Sequence, residues 1–470
     1  MTVRSRRGSW IWYCLVFLLC PIASLAAQHD SHGQISHGRF RNVTMYAPQA
    51  AVKQFVLMLS GDGGWDQEMA QMAVALAEEG ALVAGIDTPQ LFADLAQDAA
   101  DCGYPDGDLE NLSHYIQAYY RLPTYHTPLL VGYSSGAALA YAMLAQAPAG
   151  TFAGALSLGF CADLALQKPL CKTGNLRYAS RKDGGVDLLP APRLAAPWIA
   201  IHGELDRVCS ATAAEEFLAP VAGAQFVLLP GVGHGFGVKA NWLPQYKTAY
   251  AQLTRQHASS LPPPPKDLSG LPVIEVPVKT SGDTFAVILS GDGGWAGLDK
   301  EVAAALAQSG IPVAGLDSLR YFWSKRTPEG LAADLDRIVR YYCASWHRQH
   351  VLLIGYSQGA DVLPFAVRRL SARTQQTIAL IALLGLGERA QFEFHFSDWV
   401  KQDKGGLPIA PEIAKLRHVK VLCVYGEDET DSLCPGVAST QVQAMKLQGG
   451  HHFDGDYRHL AELIVAAAGR

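Results

Sequence analysis

Residues 59–65 read LSGDGGW, and residues 289–295 read the same seven letters in the same order. An identity of that length within one chain marks an internal repeat, and the residues beyond each copy extend it. Behind each lies an alanine-rich, helix-like stretch and then a short apolar strand ending in an acid, VAGID to Asp87 and VAGLD to Asp317. Next come LLVGYSSGA around Ser134 and LLIGYSQGA around Ser357. Later, DRVC at 206–209 answers DSLC at 431–434, and GHGF at 233–236 answers HHF at 451–453 once the phenylalanines are aligned. Two copies of one domain therefore stand in series.

The join falls in SSLPPPPKDLSG, residues 259–270, whose four consecutive prolines favour an extended spacer with no core of its own. This places an N-terminal domain at 40–256, a proline-rich linker at 257–272 and a C-terminal domain at 273–470. Within each copy, runs such as FVLMLS, LLVGYS, PWIAIHG and AQFVLLP alternate with amphipathic alanine-rich stretches. Apolar runs of that length suit parallel strands covered by helices on both faces. The fold class is α/β, two tandem domains with mostly parallel sheets flanked by helices.

The 470 residues are 49% hydrophobic and 17% charged, enough apolar side chain for two cores. Lys and Arg number 38 against 43 Asp and Glu, a net charge of −5, without the basic excess that nucleic-acid binding demands. At the N-terminus Arg4, Arg6 and Arg7 precede an apolar run from Trp10 to Cys20 and small residues up to Ala27. That order is a secretory leader over 1–27, and its apolar run is shorter than a membrane-spanning helix needs. Export places the mature chain in the periplasm, where disulfides form. Seven cysteines then remain, an odd number, so one stays unpaired. Sequence spacing suggests Cys161 with Cys171, Cys102 with Cys209 and Cys343 with Cys434. No CxxC pair or His/Cys cluster has metal-ligand spacing, so neither metal nor cofactor is expected.

GYSSG at 132–136 and GYSQG at 355–359 fit a nucleophile elbow, the strand-to-helix turn that exposes a serine hydroxyl between glycines. A serine hydroxyl is a poor nucleophile until a histidine takes its proton, and the histidine needs an acid to hold its tautomer. Both follow in chain order. In the first half they are Asp206, after PWIAIHG, and His234. In the second, the loop GEDETDSLC offers Asp428, Glu429 and Asp431; matching the cysteines of the two halves selects Asp431, with Asp428 in reserve. The histidine is His451, with His452 beside it. An oxyanion hole needs backbone N–H groups, expected from Gln358 and from Gly291, Asp292 and Gly293, with Ser135 and the loop from Gly61 to Gly64 as first-half counterparts. No GK[ST] follows GDGG, which argues against a phosphate-binding loop.

On LSGDGGW twice, GLDSLRYFWSKRTPE at 315–329, GYSQGADVLPF at 355–365 and GGHHFDGDY at 449–457, the chain resembles the bacterial virulence proteins of the VirJ/AcvB type. The resemblance implies duplicated, exported α/β-hydrolase domains that hydrolyse aminoacyl-phosphatidylglycerol, with the family serine at Ser357 and its histidine in the 451/452 pair. The implied partner is an aminoacylated anionic phospholipid at a membrane surface. Tyr321, Phe322 and Trp323, followed by Lys325 and Arg326, either meet that surface or pack inward as a strand end. Asp317, Tyr321 and Asp361 are the candidate substrate contacts; Asp361, one turn past Ser357, either faces a substrate ammonium or packs beside the elbow. Ser357 is expected to carry most of the turnover, because the loop after Asp87 lacks the aromatic-basic segment.

Overall fold

A computed structural model describes residues 1–2, 33–97, 101–182, 184–260, 266–394, 405–416 and 419–469. The expected leader, apart from Met1 and Thr2, and the prolines at 262–265 lie outside the described residues.

The first half builds strands β1 (Gln34–His37), β2 (Phe40–Tyr46), β3 (Gln54–Leu59), β4 (Ala81–Ile86), β5 (Leu129–Tyr133), β6 (Gly154–Leu158), β7 (Arg193–Gly203) and β8 (Ala222–Leu229). They lie side by side in the order β1-β2-β4-β3-β5-β6-β7-β8, with the β1/β2 and β2/β4 pairs antiparallel and the others parallel. The second half builds β9 (Val273–Val276), β10 (Thr284–Leu289), β11 (Val313–Leu316), β12 (His350–Tyr356), β13 (Ile378–Leu384), β14 (Val421–Gly426) and β15 (Val442–Leu447), in the order β9-β11-β10-β12-β13-β14-β15. Only β9 runs antiparallel there, so strand for strand the second sheet repeats β2 to β8. Every residue of β3, β4 and β10 is buried, as the apolar runs require of central strands covered on both faces.

The repeated motifs interlock, which explains why they recur together. The indole of Trp65 lies across Gly85 of β4, where a Cβ would sit 2.2 Å from the ring; Trp295 lies across Gly315 of β11 in the same way, also at 2.2 Å. Asp87 then accepts the Trp65 backbone N–H at 3.1 Å and caps the next helix through the Gln90 N–H at 2.9 Å. Asp317 caps its helix through the Arg320 N–H at 3.1 Å. The serine of each LSGDGGW is fully buried and accepts a backbone N–H from the following strand-to-helix turn, Thr88 to Ser60 and Ser318 to Ser290.

The described disulfides join Cys102 to Cys171, Cys161 to Cys209 and Cys423 to Cys434, and Cys343 is the free thiol. All three pairings suggested by sequence spacing are thereby corrected, because sheet order decides which cysteines meet. Cys161 follows β6 and Cys209 follows β7, adjacent parallel strands whose ends share one edge. Cys171 is laid against Cys102 by a backbone exchange, Gly103 N–H to Pro169 and Cys171 N–H to Gly103.

The described residues from Gly33 onward form one compact unit, so the halves are packed together. Trp323 donates its indole N–H to the Leu122 carbonyl at 2.6 Å, and its ring lies against Tyr125 of the first half and Phe394 of the second. Arg320 reaches Thr127, and Lys300 donates to the Ala149 carbonyl. Tyr321 and Phe322 are fully buried, and the Tyr321 hydroxyl donates to Asp334 at 2.7 Å. The aromatic segment read as a lipid-facing surface is therefore core and inter-half contact, which removes Tyr321 from the candidate substrate contacts. Among the described residues no helix is long and apolar enough to cross a membrane.

Candidate active site

Each elbow is forced by close backbone packing. A Cβ at Gly132 would lie 2.0 Å from the Gly136 carbonyl oxygen, and one at Gly136 would lie 2.3 Å from that of Leu59. Gly355 and Gly359 repeat this at 2.4 Å and 2.1 Å. The serine between takes a positive φ, 55° at Ser134 and 51° at Ser357, a strained turn that lifts the hydroxyl above the sheet edge.

In the first half Ser134 Oγ lies 3.0 Å from His234 Nε2, and His234 Nδ1 lies 2.8 Å from Asp206 Oδ2. A carboxylate only accepts, so Nδ1 carries the hydrogen and Nε2 is left to accept from the serine. The Asp206 carboxylate is fully enclosed and fixed by the N–H groups of Val208 and Cys209, both at 2.9 Å. His234 rests over Gly159, whose φ of 61° and missing Cβ leave room for the ring. The structure thus brings Ser134, His234 and Asp206 into one hydrogen-bonded line.

The second half seats His451 over Gly385 as His234 is seated over Gly159. Its acid partner is Glu429, with Oε1 2.5 Å from His451 Nδ1 and Oε2 accepting the Gly426 N–H at 2.6 Å. Asp431 and Asp428 are exposed and bond to neither histidine among the described residues. The choice of Asp431 is corrected, and the cause is the pairing of the cysteines. Cys434 is bonded to Cys423 within β14, whereas Cys209 is bonded across to the end of β6, so the two cysteines are not equivalent landmarks. The glycine that closes each strand is the better one: Asp206 follows Gly203, and Glu429 follows Gly426, by the same three positions, and each acid's N–H returns to that glycine's carbonyl. The signal was present in IHGELD and VYGEDE. His452 lies 3.0 Å by Nδ1 from the Tyr356 hydroxyl, and burial, then the neighbouring His451, holds its pKa down. Ser357 Oγ makes no hydrogen bond to His451 among the described residues.

Around Ser357, Gln358 opens the helix Gln358–Val367, and a Cβ added at Gly291 would lie 3.5 Å from Ser357 Cβ. The Gly291 N–H bonds to the buried Asp299 carboxyl, which takes Gly291 out of the expected oxyanion donors. Asp361 accepts the Gly387 N–H at 2.8 Å, and burial raises its pKa well above the usual carboxylate range, with Asp292 adding to the shift. Ala138 holds the corresponding place in the first half. Asp317 is spent on the cap and on Arg320, 3.4 Å away, which makes it a support of the GDGG loop. Among the described residues no group of His, Cys, Asp and Glu could hold a metal ion.

Two parallel sheets of this strand order, each with a serine elbow, a histidine and an acid at one edge, define a tandem α/β-hydrolase fold. The chain belongs to the bacterial virulence protein (VirJ) family, whose profile matches residues 53–159 and 283–470, more than half of its length. Solved structures similar to it include an α/β serine hydrolase homologue from Coxiella burnetii (14% identity, 48% of this chain and 96% of that one, TM-score 0.31). Others are an esterase domain from Rhodothermus marinus (16%, 46% and 92%, TM-score 0.32) and an α/β serine hydrolase without a lid from Xanthomonas campestris (17%, 50% and 98%, TM-score 0.31). No curated protein matches the chain.

Proposed function

We propose that this chain is a periplasmic serine esterase that hydrolyses the aminoacyl ester of aminoacyl-phosphatidylglycerol, lysyl or alanyl, releasing the amino acid and phosphatidylglycerol. The observation that carries the reading is the Ser134–His234–Asp206 line together with its counterpart Ser357, His451 and Glu429. The substrate follows from the family resemblance. The serine attacks the ester carbonyl while the histidine takes its proton, and the resulting oxyanion meets the N–H of Gln358 and of the GDGG loop. The histidine then returns the proton to the departing glycerol oxygen, and water cleaves the acyl-enzyme by the same route in reverse.

The second site is the one assigned to the lipid ester. The family profile takes in Ser357, Glu429 and His451 but stops at residue 159 in the first half, before Asp206 and His234. Three disulfides suit an oxidising compartment such as the periplasm. The test incubates the mature protein, Ser134→Ala and Ser357→Ala with lysyl- and alanyl-phosphatidylglycerol and assays free amino acid. Release by wild type and Ser134→Ala but not by Ser357→Ala is expected. No release from either lipid, with a generic activated ester still turned over, overturns the lipid assignment and leaves the hydrolase.

A further inference from the structure

The two halves carry the same serine chemistry in unlike surroundings. Neither serine lines the cavity of about 480 Å³ between the halves, which is walled by Gly293, Gly294 and Trp295 of the second GDGGW loop and by Glu110 and Tyr125 of the first half. The difference lies in the loops at the strand ends. Alignment on Gly203 and Gly426 sets ELDRV, residues 204–208, against EDETD, residues 427–431, with Asp206 and Glu429 in register. On either side of Asp206 stand Leu205 and Val208, 59% and 70% exposed, whereas Glu429 has the exposed Asp428 and Asp431 at the same two positions. Arg207 carries a positive charge where the second half has Thr430. Apart from the triad acid, the first loop is therefore neutral overall and the second bears three negative charges. One turn past the serine, Ala138 takes the place of Asp361, and beyond the histidine Gly237 and the exposed Val238 answer Asp454 and Gly455.

A lone exposed leucine or valine needs no explanation. These two belong to the loop whose Val208 N–H holds Asp206 at 2.9 Å and whose Leu205 N–H bonds the Val232 carbonyl at 2.8 Å, two residues before His234. They stand where the acid loop and the histidine loop meet. An alkyl chain covering them takes apolar surface out of water, whereas an ammonium finds no net negative charge on this loop. We propose that the Ser134 site is a second esterase with a substrate class of its own, esters of uncharged, apolar acyl groups. The inference rests on the serine chemistry of the esterase reading but not on its lipid substrate. Ser134 Oγ bonds to the acyl carbon as its proton passes to His234 Nε2. That proton leaves on the alcohol oxygen when the ester C–O bond breaks, and water then frees the acyl group as a carboxylic acid by the same route.

The test uses the full mature chain carrying Ser357→Ala, so that only Ser134 turns over ester, and compares ethyl butyrate with ethyl 2-aminobutyrate, which differ by one ammonium group. A kcat/KM ratio of at least about tenfold in favour of the butyrate is expected. Leu205→Asp/Val208→Asp, which gives the loop the residues of the second half, is expected to lower that ratio about tenfold. Val74→Asp, at an exposed apolar position on the helix Gln67–Glu78, leaves it as it was. Labelling of Ser134 by a fluorophosphonate checks that each variant keeps its nucleophile, and Val208→Asp alone replaces the pair if labelling is lost. A ratio near one or in favour of the aminobutyrate, a ratio unmoved by the loop substitutions, an equal fall in Val74→Asp, or no turnover of either ester overturns the inference. None of these outcomes touches the reading at Ser357, which amino acid release by the Ser134→Ala protein decides separately.

Discussion

Glu429 holds His451 by a hydrogen bond of 2.5 Å, and it does so from the position that Asp206 occupies relative to its own strand. The extra methylene of a glutamate is accommodated by anchoring its second oxygen on the Gly426 N–H, one backbone donor where Asp206 has two. The expected outcome, in a Ser134→Ala background, is that Glu429→Gln lowers Ser357-dependent kcat by about 10³- to 10⁴-fold by presenting the wrong hydrogen to the imidazole. Asp431→Asn changes it by no more than about twofold. Steady-state hydrolysis of an activated ester measures both, and a large loss in Asp431→Asn would return the acid to the position matched on the cysteines.

Gly85 and Gly315 exist for the tryptophans that cover them. Substituting Gly315 by alanine drives a methyl into the Trp295 ring and is expected to cost about 1–3 kcal/mol of overpacking, with Gly85→Ala costing a similar amount through Trp65. Chemical denaturation followed by tryptophan fluorescence reads the change. Unaltered midpoints in both variants would mean that the loop moves aside freely.

The raised pKa of Glu110 carries a stability cost with a definite sign. The folded state binds this proton more tightly than the unfolded chain, whose carboxyl titrates near 4.5, so stability is lost as the pH rises from there through about 8. Glu110→Gln removes that loss. Its melting temperature should match wild type at acidic pH and exceed it increasingly up to about pH 8, a trend that thermal scans across the range would follow; a constant offset would contradict it.

Cys209 supplies one of the two N–H groups that hold Asp206, and its carbonyl lies 2.9 Å from His202 Nε2. Breaking its disulfide releases a loop closed over a sequence separation of 48 residues, a loss of about 2–4 kcal/mol. In a Ser357→Ala background, Cys209→Ser should slow ester turnover at Ser134 as well as lower the melting temperature. In a Ser134→Ala background the Ser357 rate should persist, and its collapse would show that the halves do not respond separately.

Much of this was legible from the residues. LSGDGGW, the GYSxG elbows and the GHGF and HHF ends report local geometry, because a tight turn or a strand end leaves few residue choices. What escaped was set by contacts distant in sequence. Which cysteines meet depends on strand order, and matching Cys209 with Cys434 as equivalent positions carried the acid from Glu429 to Asp431. Tyr321 and Phe322 read equally well as interfacial or core until the fold placed the first half against Trp323. Nothing in the pattern around Glu110 separates it from an ordinary solvated helix face, since what makes it unusual is burial, which only the assembled fold supplies.

Duplicated domains in one polypeptide usually remain interchangeable, each complete in itself. Here the cavity beside the second GDGGW loop has one wall from each copy. The older symmetry has been broken: the first copy serves as part of its sibling's architecture, so a gene encoding the second copy alone would leave the Trp323 indole without its carbonyl and the GDGGW loop with one side bare.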